Sequence, residues 1–420
     1  MSEQRPFRPH DPPPDADRLL VILSDIEMGA GGAIDDFPHS DWLGQLICSY
    51  NEPPFAALDV DLVLNGDIFD LLKTSYLGAW PRHITGEVAV GKMARVAGAH
   101  PGFFEGVRRF LDHEDAQRRV FFIAGNHDPE LLYPDVQLMI RSKLGRYERV
   151  IFSGFSLEAG RVHIEHGSQM DPFFRMERRR PFIEFRGKTV LNISWGAVAL
   201  LDTVIPMQST MGFHDRIQPR EAVFDLMPEI RELMVGTFWR YYTRDYWKGY
   251  LSEGDPTKKL SWSMVKELIW RFRTRNVEVT IDRTLENRLK QDDSIRLYVV
   301  GHQHQPGWRS HGDRKILYAG CLRNEYLVVD GGRALRPVPR SYVEAYCREG
   351  VPIRSHLVEI EGPPAPAGYV PDSIFDVLPE VRQRLALFHE ARSEKEARRE
   401  VERREAADEK GAGADRWRGR

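Results

Sequence analysis

The chain has 420 residues, 42% of them hydrophobic and 10% aromatic, enough for one large core or two to three smaller domains. Its 59 basic side chains are balanced by 62 acidic ones, so overall charge makes no case for a polyanion, and nucleic acid is not an expected partner. Cys48, Cys321 and Cys347 lie far apart and form no Cys-x-x-Cys pair, which argues against a disulfide framework or a thiolate zinc site and fits the reducing cytoplasm.

Residues 1–17, polar and proline-rich with no apolar run, read as a disordered leader and not as a secretory signal. From 18 to 169 the short apolar runs "RLLVILSD", "VDLVLNGD", "RRVFFIAGN" and "RVHIEHG" alternate with longer mixed segments, the pattern of an α/β core. Residues 170–290 read as a large helical insertion, because "EAVFDLMPEIRELMVGTFWRYY" and "WSMVKELIWRFR" carry apolar residues at three and four spacing. Within it the apolar window 190–207 is short and interrupted by Asn192 and Asp202, so it predicts a packed helix or lid and not a membrane span. Trp239, Tyr242 and Tyr246 fall at helical spacing and are expected to pack inward. Strand character resumes over 291–375 with "SIRLYVVGHQHQP", "RKILYAGC", "NEYLVVDGG" and "SHLVEIEG", and 376–420 reads as a charged helical tail, partly disordered.

The ends of these strands carry the chemistry. Asp25 and Glu27 follow the first, Asp67 and Asp70 the second, Asn126 and His127 the third, His166 the fourth, and His302 and His304 the strand "LYVV". In an α/β sheet such ends converge on one edge, and oxygen and imidazole donors gathered there suit a hard or borderline cation. A lone His or Gly-Asp is ordinary turn chemistry, whereas five ends of this kind in one chain point to a metal site.

In order, "SDIEMG", "NGDIFD", "GNHD", "HG" and "GHQH" resemble the signature of the calcineurin-like metallophosphoesterases over residues 19–167 and 295–330. The resemblance implies a two-sheet α/β sandwich flanked by helices with a pair of divalent ions at the strand ends. It implies Asp67 as the bridging ligand, Asp25, Glu27 and His304 at the first ion, and Asn126, His166 and His302 at the second. His127, paired with Asp70, would assist the leaving group while a hydroxide shared by the ions attacks a phosphomonoester or phosphodiester in line. Manganese is the expected metal, with iron, magnesium and zinc as alternatives. The family's first motif ends in His where this chain has Glu27; ligation by Glu27 would add negative charge and favour harder ions, and His39 is the nearest substitute imidazole.

The insertion should govern substrate choice. Its start clusters Arg175, Arg178, Arg179 and Arg180, read either as a solvated basic face or as a site for phosphate or an anionic surface. A phosphorylated small molecule or a lipid-linked substrate is the expected partner, with peripheral membrane contact left open. The segment "HGSQMD" is similar to an element of UDP-2,3-diacylglucosamine hydrolase-type members, although "GNHD" and Glu27 depart from their pattern. Two alternatives to the general phosphoesterase therefore stand: a lipid-linked pyrophosphate hydrolase of that type, or a weakened relative that binds partners.

Overall fold

The computed structural model describes residues 11–32, 34–208, 213–241, 244, 254–257, 266, 270 and 281–391. Its centre is two sheets face to face. The larger runs, in spatial order, β16 (Val351–Ile360), β15 (Arg340–Arg348), β1 (Arg18–Leu23), β2 (Asp59–Asn65), β3 (Arg118–Ile123) and β4 (Val150–Phe152). The smaller runs β11 (Pro306–His311), β12 (Arg314–Ala319), β10 (Leu297–Val300), β6 (Val162–Glu165) and β5 (Ser156–Ala159). Strands β1 to β4 pair in parallel, as do β6, β10 and β12.

The unbroken apolar run of β1 follows from this layering. Leu19, Val21 and Leu23 face the core beneath the helices, whereas Leu20 and Ile22 face the second sheet, so both faces are dry and no alternation survives. Helices α1 (Ser40–Cys48), α2 (Gly86–Ala99), α3 (Pro101–Leu111) and α4 (Pro134–Leu144) cover the first sheet through Leu43, Met93, Phe103 and Ile140. Between the sheets, Val63, Phe121 and Ile123 meet Val162, Ile164, Val299 and Leu317. On the far side, Leu285 and Leu289 pack with Tyr298 and Ile316. The fold is mixed α/β in several layers, as the sequence predicts.

Most of "WSMVKELIWRFR" lies outside the described residues, and among those described the insertion holds strands as well as the expected helices. Its described residues include a hairpin, β7 (Phe182–Phe185) with β8 (Lys188–Leu191), before α5 (Trp195–Thr203). A short strand β9 (Ile217–Gln218) pairs in parallel with β13 (Tyr326–Val329), which also pairs with β14 (Ala334–Pro337). Two helices, α6 (Arg220–Leu226) and α7 (Pro228–Arg240), follow, and α8 (Asp282–Gln291) leads back to β10. Trp239 of α7 is 72% exposed, so helical spacing alone misjudged its direction; Tyr242 and Tyr246 lie outside the described residues.

Both ends of the chain are more engaged than their composition suggests. Within the expected leader, Asp17 N donates to Cys347 O at 3.0 Å and Asp17 Oδ2 accepts Glu349 N at 2.6 Å, so residues just before β1 dock on the β15–β16 hairpin. The tail begins as a helix over 378–391 whose Val381 and Leu385 are buried with Ile217, Met227 and Ile230 of the insertion. The charged stretch beyond lies outside the described residues.

Candidate metal centre

The parallel strands of both sheets point their C-terminal ends at one place, and the turns there are stitched together. Ile26 N and Glu27 N both donate to Asp67 O, at 3.0 and 2.9 Å, while Leu322 N and Arg323 N both donate to Asp25 O at 3.1 Å. Gly301 N donates to His166 O at 2.9 Å. Asp128, next to His127, takes Gly125 N at 2.7 Å and Ile68 N at 2.8 Å, which ties the β3 turn to the β2 turn. Asp25, Glu27, Asp67, His302 and His304 all adopt left-handed backbone, φ 51°, 55°, 50°, 71° and 58°, a conformation non-glycine residues hold only where surroundings impose it. A Cβ on Gly125 would come 2.1 Å from Asp67 Oδ1, so only glycine lets these turns approach so closely.

Two donor groups result, sharing one neighbourhood. In the first, His304 Nε2 is 3.2 Å from Asp25 Oδ1 and 3.6 Å from Glu27 Oε1. In the second, His166 Nε2 is 3.1 Å from Asp67 Oδ2 and 3.2 Å from Asn126 Oδ1, and the His302 ring centroid lies 5.2 Å from that of His166. Donor atoms of Asp67, His166 and His302 fall within 4.8 Å of one another. His166 Nδ1 must donate to Asn65 O at 3.1 Å, which leaves Nε2 bare of a proton in the neutral ring and ready to ligate. Glu325 does the same for His304, at 2.7 Å from Nδ1. Asp171, the acid of "HGSQMD", stands 3.4 Å from His302 Nε2.

The donor set is short of positive charge. Asp25 Oδ1 is buried and accepts no hydrogen bond, an orphan that a cation would satisfy. Burial disfavours the charged ring of His166, yet Asp67 and Asp25 outweigh it and push the pKa up to about 9. His304 reaches about 9 against both burial and the nearby Arg323, through Glu325 and Asp25. His127 is pushed up to about 10 by Glu27, Asp67 and Asp70, again against burial. Carboxylate, amide and imidazole donors gathered this closely around the unsatisfied Asp25 Oδ1 fit a pair of divalent ions.

His127 is set apart from the donors by its own partner. Its Nδ1 is 3.0 Å from Asp70 Oδ1, its backbone N–H donates to Asp67 Oδ1 at 2.7 Å, and its side chain is 13% exposed. Nε2 is the nitrogen left for a substrate.

Lys73, Asp36, Asp215, Arg323 and Glu325 are charged residues of this site that the sequence analysis did not single out. Lys73 Nζ lies 2.5 Å from Asp36 Oδ2, 2.6 Å from Asp215 Oδ2, 3.2 Å from Asp70 Oδ2 and 3.3 Å from Glu27 Oε2. Arg323 Nη1 donates to Glu27 Oε2 at 2.6 Å, and its Nε to Glu325 Oε1 at 3.1 Å. Burial opposes ionisation of Glu27, but Arg323 and then Lys73 hold its carboxyl well below the usual range. Asp36 is pushed up to about 7 by burial and by Asp215. Asp215 and Arg216 belong to the insertion, which β9 anchors beside the site, and Arg216 Nε donates to Asp36 Oδ1 at 2.5 Å, so the insertion does reach the cluster, though not through the expected arginines. Arg178 donates to Glu165 Oε2 at 2.6 Å, behind His166, while Arg175 and Arg179 are exposed. His39 sits beside Phe37 at the start of α1, its pKa depressed to about 4 by burial and Arg340. The end of β12 carries Arg323 and Glu325, so the strand-end rule applied to "RKILYAGCLRNE" would have found them.

Residues 21–203 match the calcineurin-like phosphoesterase family, a segment that holds Asp25 to His166 and stops short of His302 and His304. No curated protein matches the chain. Among solved structures, a phosphopantetheinyl hydrolase from Mycobacterium tuberculosis is 12% identical, with 73% of this chain and 91% of that chain covered and a TM-score of 0.25, a likeness too slight to bear on substrate. No helix among the described residues is long and apolar enough to cross a membrane.

Proposed function

We propose that this chain, whose residues 21–203 match the calcineurin-like phosphoesterase family, is a metal-dependent hydrolase of phosphomonoesters or phosphodiesters of small molecules. The observation that carries the proposal is the meeting of Asp25, Asp67, Asn126, His166, His302 and His304 at one edge, with Asp25 Oδ1 unsatisfied. Asp25, Glu27, Asp67 and His304 would hold one divalent ion and Asp67, Asn126, His166 and His302 the other. When bound, such a pair supplies Lewis acidity toward a phosphoryl group and makes water acidic at neutral pH. The oxygen-rich set with Glu27 suits manganese better than zinc.

The protein's own part is positioning and proton transfer. Asn65 O and Glu325 aim His166 and His304 through their Nδ1 atoms. Asp70 aims His127, whose Nε2 gives a proton to the departing alkoxide. We take 18–169 with 291–375 as the core and 170–290 as a cap, because Asp215 contacts Lys73 beside the cluster. The unpaired thiols of Cys48, Cys321 and Cys347 suit the cytoplasm.

Turnover of bis-p-nitrophenyl phosphate or p-nitrophenyl phosphate with added Mn²⁺, abolished by a chelator and by Asp67→Ala, is the test. Absence of turnover with Mn²⁺, Mg²⁺, Zn²⁺ and Fe²⁺ alike would overturn the proposal.

A further inference from the structure

Glu27 is where the chain departs from its family's first motif, and the departure comes with neighbours. Its two oxygens face opposite ways. Oε2 receives Arg323 Nη1 at 2.6 Å and lies 3.3 Å from Lys73 Nζ, whereas Oε1 lies 3.6 Å from His304 Nε2, on the donor side. Arg323 is 2% exposed, and its position is fixed at both ends. Its backbone N–H is held by Asp25 O at 3.1 Å, and its Nε by Glu325, the residue that also holds His304.

We propose that Glu27 ligates the first cation through Oε1 and that Arg323, supported by Lys73, neutralises the charge this carboxylate adds, so that positions 27 and 323 function as one unit. The proposal rests on the two-ion reading above and deepens it. A carboxylate in place of an imidazole makes the donor set more negative by one unit, which blunts the electrophilicity of a bound ion. A guanidinium on the distal oxygen draws that charge away and fixes the carboxylate's rotation. The converse gives the inference its edge. With an imidazole at 27, Arg323 would lose its 2.6 Å partner and keep Glu325 Oε1 at 3.1 Å, Asp36 Oδ2 at 3.3 Å and Asp215 Oδ2 at 3.7 Å, carboxylates it shares with His304 and Lys73, so its buried charge beside a divalent ion would be less fully compensated. Restoring the family's own residue should therefore harm this site. Arg323 is in these terms a positioning residue, and Glu27 a ligand.

The experiment counts ions. Full-length protein is loaded with Mn²⁺, dialysed and assayed by elemental analysis, with Mn²⁺ titrated calorimetrically into the metal-free form. Wild type should hold two ions per chain. Glu27→His should hold about one, with the lost site weakened roughly 10–100-fold. Adding Arg323→Met to Glu27→His should return the count toward two. Glu27→Gln keeps the size of the side chain should the imidazole prevent folding; it should lose the same ion and be rescued by the same second change. Two ions held at wild-type affinity by Glu27→His would overturn the proposal, as would a double variant no better than the single. Wild type holding one ion or none would sink both this proposal and the two-ion reading. Two ions in wild type without turnover of any phosphate ester would sink the hydrolytic reading alone, while the ion counts of the variants would still decide the coupling.

Discussion

His127 Nδ1 stands 3.0 Å from Asp70 Oδ1, and that same oxygen accepts Lys73 N at 3.0 Å. The imidazole is thus aimed by a carboxylate that is itself fixed by the backbone. If Nε2 protonates the leaving oxygen, the contribution of this one ring should depend on how badly the leaving group needs a proton. His127→Ala should lower kcat by about 10²–10⁴ on an alkyl phosphate ester. The loss should be much smaller on p-nitrophenyl phosphate, whose phenolate leaves unaided. Equal losses on both substrates, measured side by side, would assign His127 a binding role instead.

Cation binding should be visible without any substrate. Asp67 stands 3.1 Å from His166 Nε2 and within 4.8 Å of a donor atom of Glu27, and burial of its carboxylate is tolerated through His166 and His127. Saturating Mn²⁺ at about 100 times its Kd should stabilise the folded state by about 2.7 kcal/mol per site. The melting temperature of wild type should rise accordingly, and Asp67→Ala should lose most of that rise. An equal rise in the variant would mean that the ion binds elsewhere.

The pH dependence of stability should bear the mark of Glu344, far from the donors. It is fully buried on β15, with Tyr50 Oη donating to Oε1 at 2.5 Å and Tyr346 Oη to Oε2 at 3.1 Å. Burial raises its pKa from 4.5 to about 7, the two hydroxyls opposing only in part. Between these values the folded protein keeps a proton that the unfolded chain has released, so stability falls as pH rises through the window. The loss from this group is about 3 kcal/mol at most. Urea unfolding of Glu344→Gln should show a flatter profile between about pH 5 and 7 than wild type. Superimposable profiles would mean that Glu344 ionises freely in the fold.

Helices α1 and α3 touch backbone to backbone. A Cβ at Gly106 would meet Gly44 Cα at 2.2 Å, and one at Gly44 would meet Gly102 O at 2.4 Å. Gly106→Ala should destabilise by about 1–3 kcal/mol while leaving kcat per folded molecule unchanged. Unaltered urea midpoints would show that the helices separate at little cost.

Much of the molecule was readable because its signals are local. Each parallel strand of the core is an apolar run, and Asp25, Asp67, Asn126, His166 and His302 follow such runs directly, so one topological rule gathers them. What escaped was assembled from distant pieces. Lys73, Asp36 and Asp215 come from three segments, and nothing in the sequence near any one of them reveals that they meet; Arg323, after β12, has the strand-end signal alone. The β7–β8 hairpin was hidden by the stronger helical periodicity around it, and β9 is two residues long, too short for any period. Arg178 shows the limit of reading charge clusters: its guanidinium serves buried Glu165, a partner no linear pattern announces.

Strand β1 lies between β2, made soon after it, and β15, made near the end of the described chain. A ribosome therefore exposes β1 with one bare flank until residues 340–348 emerge, an open invitation to intermolecular pairing. The protein should then lean on chaperones during synthesis, and products truncated before β15 should be found in inclusion bodies.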